Sequence, residues 1–161
     1  MAHEHGHAIS KAMEECIRLC IECARTCEAC YGECVRMDMA GMATCVALCR
    51  DCADICMTDA QFMSRGSEFH LDLCAVCADV CDACADECER MAAEHQGESS
   101  EMFQRCAETC RRCAESCRTM AGGEAGIEGA TKKRIPTRDW RVHAKRAPLS
   151  RGPGWQRCRA V

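Results

Sequence analysis

Residues 16–34 read CIRLCIECARTCEACYGEC, and the steps between the six cysteines, Cys16, Cys20, Cys23, Cys27, Cys30 and Cys34, alternate between four and three. A 4,3 alternation averages 3.5 residues, the heptad period that keeps one seam of an α-helix turned toward partner helices. The same step recurs in Cys45, Cys49, Cys52 and Cys56, in Cys74, Cys77, Cys81, Cys84 and Cys88, and in Cys106, Cys110, Cys113 and Cys117. Nineteen of the twenty cysteines thus fall on four helical seams. Such seams are ordinarily filled by Leu and Ile, so a core lined with sulfur is built to hold something that sulfur binds.

Around these runs the composition favours helix. Only 4% of residues are aromatic, β-branched residues are few, and Ala, Glu, Met and Arg are plentiful. The expected class is all-α, with helices over residues 9–37, 42–63, 68–95 and from a Ser99 or Ser100 cap to Gly122. Gly97 is expected as the positive-φ residue closing the third helix, and Arg65, Gly66 and Ser67 as the stop of the second. Short connections make sequential neighbours antiparallel, which predicts an up-down-up-down four-helix bundle. Alanine recurs beside the seam cysteines, as at Ala24, Ala53, Ala78, Ala85, Ala107 and Ala114, and small residues there let helices approach closely. Arg18, Arg25, Asp51, Asp54, Asp79, Asp86 and Arg112 belong on the opposite, solvated faces.

At 161 residues the chain holds one domain with a real core. Residues 1–121 are expected to form the bundle, and residues 122–161 a Gly-containing linker and a tail without hydrophobic periodicity. Charge divides along the same line. Residues 1–130 carry 11 Lys/Arg against 24 Asp/Glu, whereas residues 131–161 carry 10 Lys/Arg against Asp139 alone. An Arg-rich tail is a recognised nucleic-acid feature, but no nucleic-acid fold accompanies it here, which argues against such a partner. Cys158 in the tail reads as a stray thiol. The opening MAHEHGHA has neither a basic nor an apolar signal region, and no stretch is apolar enough for a membrane span, so the expected home is the cytoplasm.

Five readings compete for the thiol seam. As mere small hydrophobes, nineteen cysteines would bury less apolar surface than leucines and stabilise the core poorly. Disulfides within a helix are opposed by geometry, since i,i+3 and i,i+4 Cβ atoms lie about 5–6 Å apart where a disulfide needs about 3.5–4.5 Å. The C-x2-C-x2-C spacing of bacterial ferredoxins does not occur, which speaks against iron–sulfur clusters. Zinc in four-thiolate sites would leave two net negative charges per metal, and a column of them would bury costly charge. Cu(I) is soft and selected by thiolate, and about one ion per thiolate neutralises the column. The first run spans about 27 Å at about 1.5 Å per residue, enough for many ions.

Beyond the cysteines the register continues into Met13, Met37, Met42, Met63, Met91, Met120, His70 and His95. One bundle end should gather Met37, Met42, Met91, His95 and Phe103, with Met39 nearby in the connection. The other should gather Ile9, Met13, Asp59, Met63, His70 and Met120. Methionine at such places is commonly core filler, yet thioether and imidazole beside a thiol column can also pass Cu(I) inward. His3, His5 and His7 form a short tract that reads as a solvated terminus.

The four cysteine runs resemble those of the bacterial four-helix-bundle copper storage proteins, over about residues 1–121. The resemblance implies a non-catalytic store for many Cu(I) ions, with the nineteen seam cysteines as ligands. It also implies a cytosolic branch, a homotetramer, copper uptake at an open bundle end and a copper chaperone as possible partner. Met37, Met39 and Met42 look like the Met-rich mouth of exported members, with Met91 and His95 beside them, so that end is favoured over the His70 end. The alternatives are a zinc or mixed-metal reservoir, or a thiol redox protein. The last needs an accessible thiol beside a base, and no His or Lys adjoins a seam cysteine in sequence.

Overall fold

A computed structural model of the chain describes residues 9–37 and 41–122; His3, His5, His7, Met39, Cys158 and the whole tail fall outside the described residues. Four helices follow in order: α1 (Lys11–Met37), α2 (Ala43–Ser64), α3 (His70–Glu94) and α4 (Glu98–Ala121). Among the described residues there is no strand, as expected of an all-α chain. The bundle is the antiparallel one, because late positions of one helix meet early positions of its neighbour: Cys34 meets Cys45, Cys56 meets Cys77, and Cys27 meets Cys106. α1 packs on α2 and α4, and α3 packs on the same two, while no diagonal pair brings Cα atoms within 8 Å.

Local chemistry sets the helix ends. The Met13 amide donates to Ser10 Oγ at 3.2 Å, so Ser10 caps α1 at the position where a hydroxyl satisfies an orphan amide. At the end of α2 the Ser67 amide donates to the Phe62 carbonyl and the Gly66 amide to the Met63 carbonyl, both at 3.0 Å, with Gly66 at φ +63°. This paired bonding is the Schellman stop, and it falls on the expected residues. The α3–α4 corner departs from expectation. Gly97 has the anticipated positive φ of +64°, but it stands at the N-cap of α4 and not just after α3, which already ends at Glu94. Neither Ser99 nor Ser100 caps α4, because both lie inside its first turn; the Ser100 hydroxyl instead donates to the Ala92 carbonyl at 2.9 Å and ties the two helices together.

The interior is sorted by size. Ala24, Ala53, Ala78, Ala85, Ala107 and Ala114 are all buried between helices, where a larger side chain would hold the backbones apart. The bulkiest buried groups, Phe103, Met63, Met91 and Met120, sit in the register positions that follow or precede the cysteine runs. Outside, arginines clasp neighbouring helices: Arg111 on α4 bonds Glu89 at 3.0 Å and Asp82 at 3.1 Å on α3, Arg112 reaches Glu22 on α1, and Arg50 on α2 reaches Glu28 on α1. The charged faces expected in water are exposed. No described helix is long and apolar enough to cross a membrane.

Candidate metal centre

Every one of the nineteen seam cysteines is buried and free of disulfides. Their seams converge because each helix turns its 3.5-residue stripe toward the shared axis, so sulfur from all four helices fills one column. Contacts between sulfurs run from 3.5 to 4.0 Å, as at Cys27 to Cys110 (3.5 Å), Cys56 to Cys81 (3.5 Å) and Cys23 to Cys52 (3.8 Å). These are nonbonded separations, far beyond the 2.03–2.05 Å of a disulfide. Thiols also meet across the diagonals that the backbones do not span: Cys52 lies 4.0 Å from Cys110 and Cys56 lies 3.9 Å from Cys113.

The sulfurs gather in sets of four, all within 4.8 Å of one another. One set is Cys20, Cys77, Cys113 and Cys117; the next is Cys23, Cys56, Cys81 and Cys113; then come Cys23, Cys27, Cys52 and Cys110, and Cys27, Cys84, Cys106 and Cys110. Cys30, Cys45, Cys49 and Cys88 form another toward the far end. Successive sets share members, first Cys113, then Cys23, then Cys27 and Cys110. Shared sulfurs suit bridging thiolates and monovalent soft ions better than a row of closed tetrahedral zinc sites, each of which needs four sulfurs of its own.

Protons are unevenly held along this column. The Cys56 thiol is pushed far up by its bond to Cys113 and by burial, while Cys113 is drawn down by its hydrogen bonding with Cys117 and Cys20. A thiol that keeps its proton donates it to a neighbour that is thereby favoured as thiolate. Loading with metal replaces those protons.

Both ends of the column differ from its middle. At one, Met42 and Met91 are buried, Met37 is half-buried, and His95 leans on the fully buried Phe103 with ring centroids 5.4 Å apart. His95 Nδ1 donates to the Met91 carbonyl at 2.8 Å. Of the residues expected at this end, His95 thus contacts Met91 and Phe103, and Met39 lies outside the described residues. At the opposite end His70, Met13, Met63 and Met120 are buried. Its ring Nδ1 lies 2.6 Å from the Ser67 carbonyl, which also accepts the His70 amide at 3.2 Å.

Asp59 is the residue whose place sequence reasoning undervalued. It is fully buried, with its carboxylate oxygens 3.5 Å from Cys74, 3.7 Å from Cys117 and 4.0 Å from Cys20. Burial, and then negative charge at Cys117, push its carboxyl up to about 8, so a neutral acid stands among the thiols at neutral pH. A signal was available. Asp59 continues the cysteine register of α2, three residues after Cys56 and four before Met63.

Comparison with known proteins follows the same stretch of chain. A family model described as "Copper storage protein" matches residues 9–122. The solved apo structure of copper storage protein 3 from Bacillus subtilis is 39% identical, covers 67% of this chain and 97% of its own, and superposes with a TM-score of 0.59. A cytosolic copper storage protein from Streptomyces lividans, solved with five coppers, is 35% identical, with 70% of this chain and 94% of that one covered and a TM-score of 0.62. The uncharacterized cysteine-rich protein YhjQ of Bacillus subtilis (strain 168) is 38% identical over 66 residues, which are 40% of this chain and 61% of that relative's length.

Proposed function

Since this chain belongs to the copper storage protein family, we propose that it stores and sequesters many Cu(I) ions on the thiolates of its bundle core. The observation that carries this reading is the sharing of sulfurs between successive four-thiol sets. In such a column each thiolate bridges two ions, and a charge-neutral core results when about one Cu(I) is held per thiolate. The ligands we propose are the nineteen seam cysteines, from Cys16 on α1 to Cys117 on α4. Turnover is no part of the role, and the family is one of storage.

Copper is proposed to arrive at the end lined by Met37, Met42, Met91 and His95, with Met39 in the adjoining connection. Thioether and imidazole are neutral donors, so they hold Cu(I) less firmly than the thiolates behind them and release it inward. The proposed home is the cytoplasm, where thiols stay reduced, as for the cytosolic Streptomyces relative. Residues 1–121 are proposed as the storage domain, supported by the extent of the family match, and residues 122–161 as an accessory tail. A homotetramer and delivery by a copper chaperone complete the proposal. Exposed Ile21 and Met57, which flank one groove on α1 and α2, support self-association.

The test is an anaerobic titration of the reduced full chain with Cu(I) against a chelator of known affinity, with thiols counted in parallel. Saturation near one Cu(I) per core thiol is expected. A plateau at about four or five metals, the number that separate four-thiolate sites allow, would replace this reading with a zinc-type reservoir.

A further inference from the structure

His70 opens α3 one helical turn before Cys74, at the bundle end opposite the Met37 and His95 mouth. Only 5% of its surface is exposed, and its Nε2 is buried without a hydrogen-bond partner, alone in this among the side-chain nitrogens and oxygens of the described residues. The ring's tautomer is fixed by its other nitrogen. A carbonyl can only accept, so the 2.6 Å contact to the Ser67 oxygen places the ring proton on Nδ1 and leaves a lone pair on Nε2. A histidine oriented through Nδ1–H to a backbone carbonyl is the arrangement that metal-binding imidazoles use.

Soft donors stand beside it. Met63, fully buried at the end of α2, places its Sδ 3.8 Å from Cys74 Sγ. Cys74 and His70 are four residues apart on one helix, hence on one face, and side chains lean toward the helix N-terminus where His70 sits. A buried acceptor without a donor is costly, and a cation is the partner it lacks.

We propose that His70 Nε2, Met63 Sδ and Cys74 Sγ form a terminal site for one Cu(I) at the α2–α3 end of the column, through which copper also exchanges with solvent. This inference rests on the storage reading and adds a second port to it. One thiolate among three donors neutralises a monovalent ion, so the site holds Cu(I) without adding buried charge. Cys74 gives up its proton to solvent as the ion binds; when the ion passes on to Cys16 or Cys117 beside it, the accepting thiol releases its proton and Cys74 regains one or takes the next ion, with no change in oxidation state.

The full chain, reduced and labelled with 15N at histidine, would be titrated anaerobically with Cu(I) while ring nitrogens are followed by long-range 1H–15N NMR and thiolate binding by ultraviolet absorption. The Nε2 resonance of His70 is expected to move upfield to the metal-bound range, with Nδ1 still protonated. His70→Gln and Met63→Leu are each expected to release Cu(I) to a chelator several-fold more slowly than the parent chain. If thiolate–copper absorption grows to saturation while the His70 Nε2 resonance stays in place, the port is refuted and storage stands. If no such absorption grows in the parent chain, storage itself is refuted. Should a variant fail to fold, the resonance of the parent chain decides alone.

Discussion

Asp59 on α2 places its Oδ2 3.7 Å from the Sγ of Cys117 on α4, across the diagonal of the bundle. The groups facing this carboxyl are thiols from the three other helices, Cys16 and Cys20 of α1, Cys74 of α3 and Cys117 itself. Its folded value of about 8 lies above the ordinary carboxylate range, so between about pH 4 and 8 the folded state keeps a proton that the unfolded chain releases. Stability of the metal-free protein therefore falls as pH rises through that window. Asp59→Asn cannot ionise and should flatten the fall, gaining a few kcal/mol over the parent at pH 8 and little at pH 4. Urea unfolding of the reduced, metal-free proteins at both values checks this; parallel pH profiles would refute it.

Cys56 touches Cys52, Cys77, Cys81 and Cys113, sulfurs from three helices. Cys56→Ala should lower Cu(I) capacity by at least one ion, since a shared bridge is lost. Removing one buried sulfur should also cost the metal-free fold about 1 kcal/mol. Chelator titration and denaturant unfolding read the two effects separately. Undiminished capacity would show that the column does not rely on bridging at this point.

Close approach of the helices depends on small residues, and Ala114 is fully buried on α4. Ala114→Leu should destabilise the bundle by about 1–3 kcal/mol or more through overpacking. By contrast Arg111→Ala, which removes the clasp to Asp82, Asp86 and Glu89, should cost within about 1 kcal/mol, and less at high salt, because those pairs face water. Thermal melts of both variants at low and high salt give the comparison. A larger loss for Arg111→Ala would reverse the ranking of packing over surface charge.

If residues 1–121 are the storage domain, a chain ending at Gly122 should fold and bind as many Cu(I) ions as the full chain. Circular dichroism and titration of the shortened chain test this, and a loss of helix or capacity would assign the tail a structural part.

Sequence reading recovers most of the fold because the cysteine register is redundant: each of the four runs repeats the 4,3 step, and any one specifies its buried face. The Gly66 stop is equally legible, since a positive φ before a short connection favours glycine strongly. Gly97 shows the limit. Its backbone conformation was foreseeable, but whether it ends one helix or begins the next is decided by the Ser100 to Ala92 bond across the corner. The neutral acid at Asp59 was hidden for a related reason. A carboxyl is read as solvated until thiols from distant parts of the chain are seen to surround it, and that surrounding exists only after folding. The His70 tautomer likewise depends on where the Ser67 carbonyl points.

Sulfurs touch around the square of helices and also across its diagonals, at 3.9 Å for Cys56 and Cys113 and 4.0 Å for Cys52 and Cys110. The column is thus a mesh, not a single file. An ion displaced from one thiolate finds others within reach on every side, so no single node is a bottleneck. Late arrivals need not wait for early ones to move, and withdrawal does not have to run in the order of deposit.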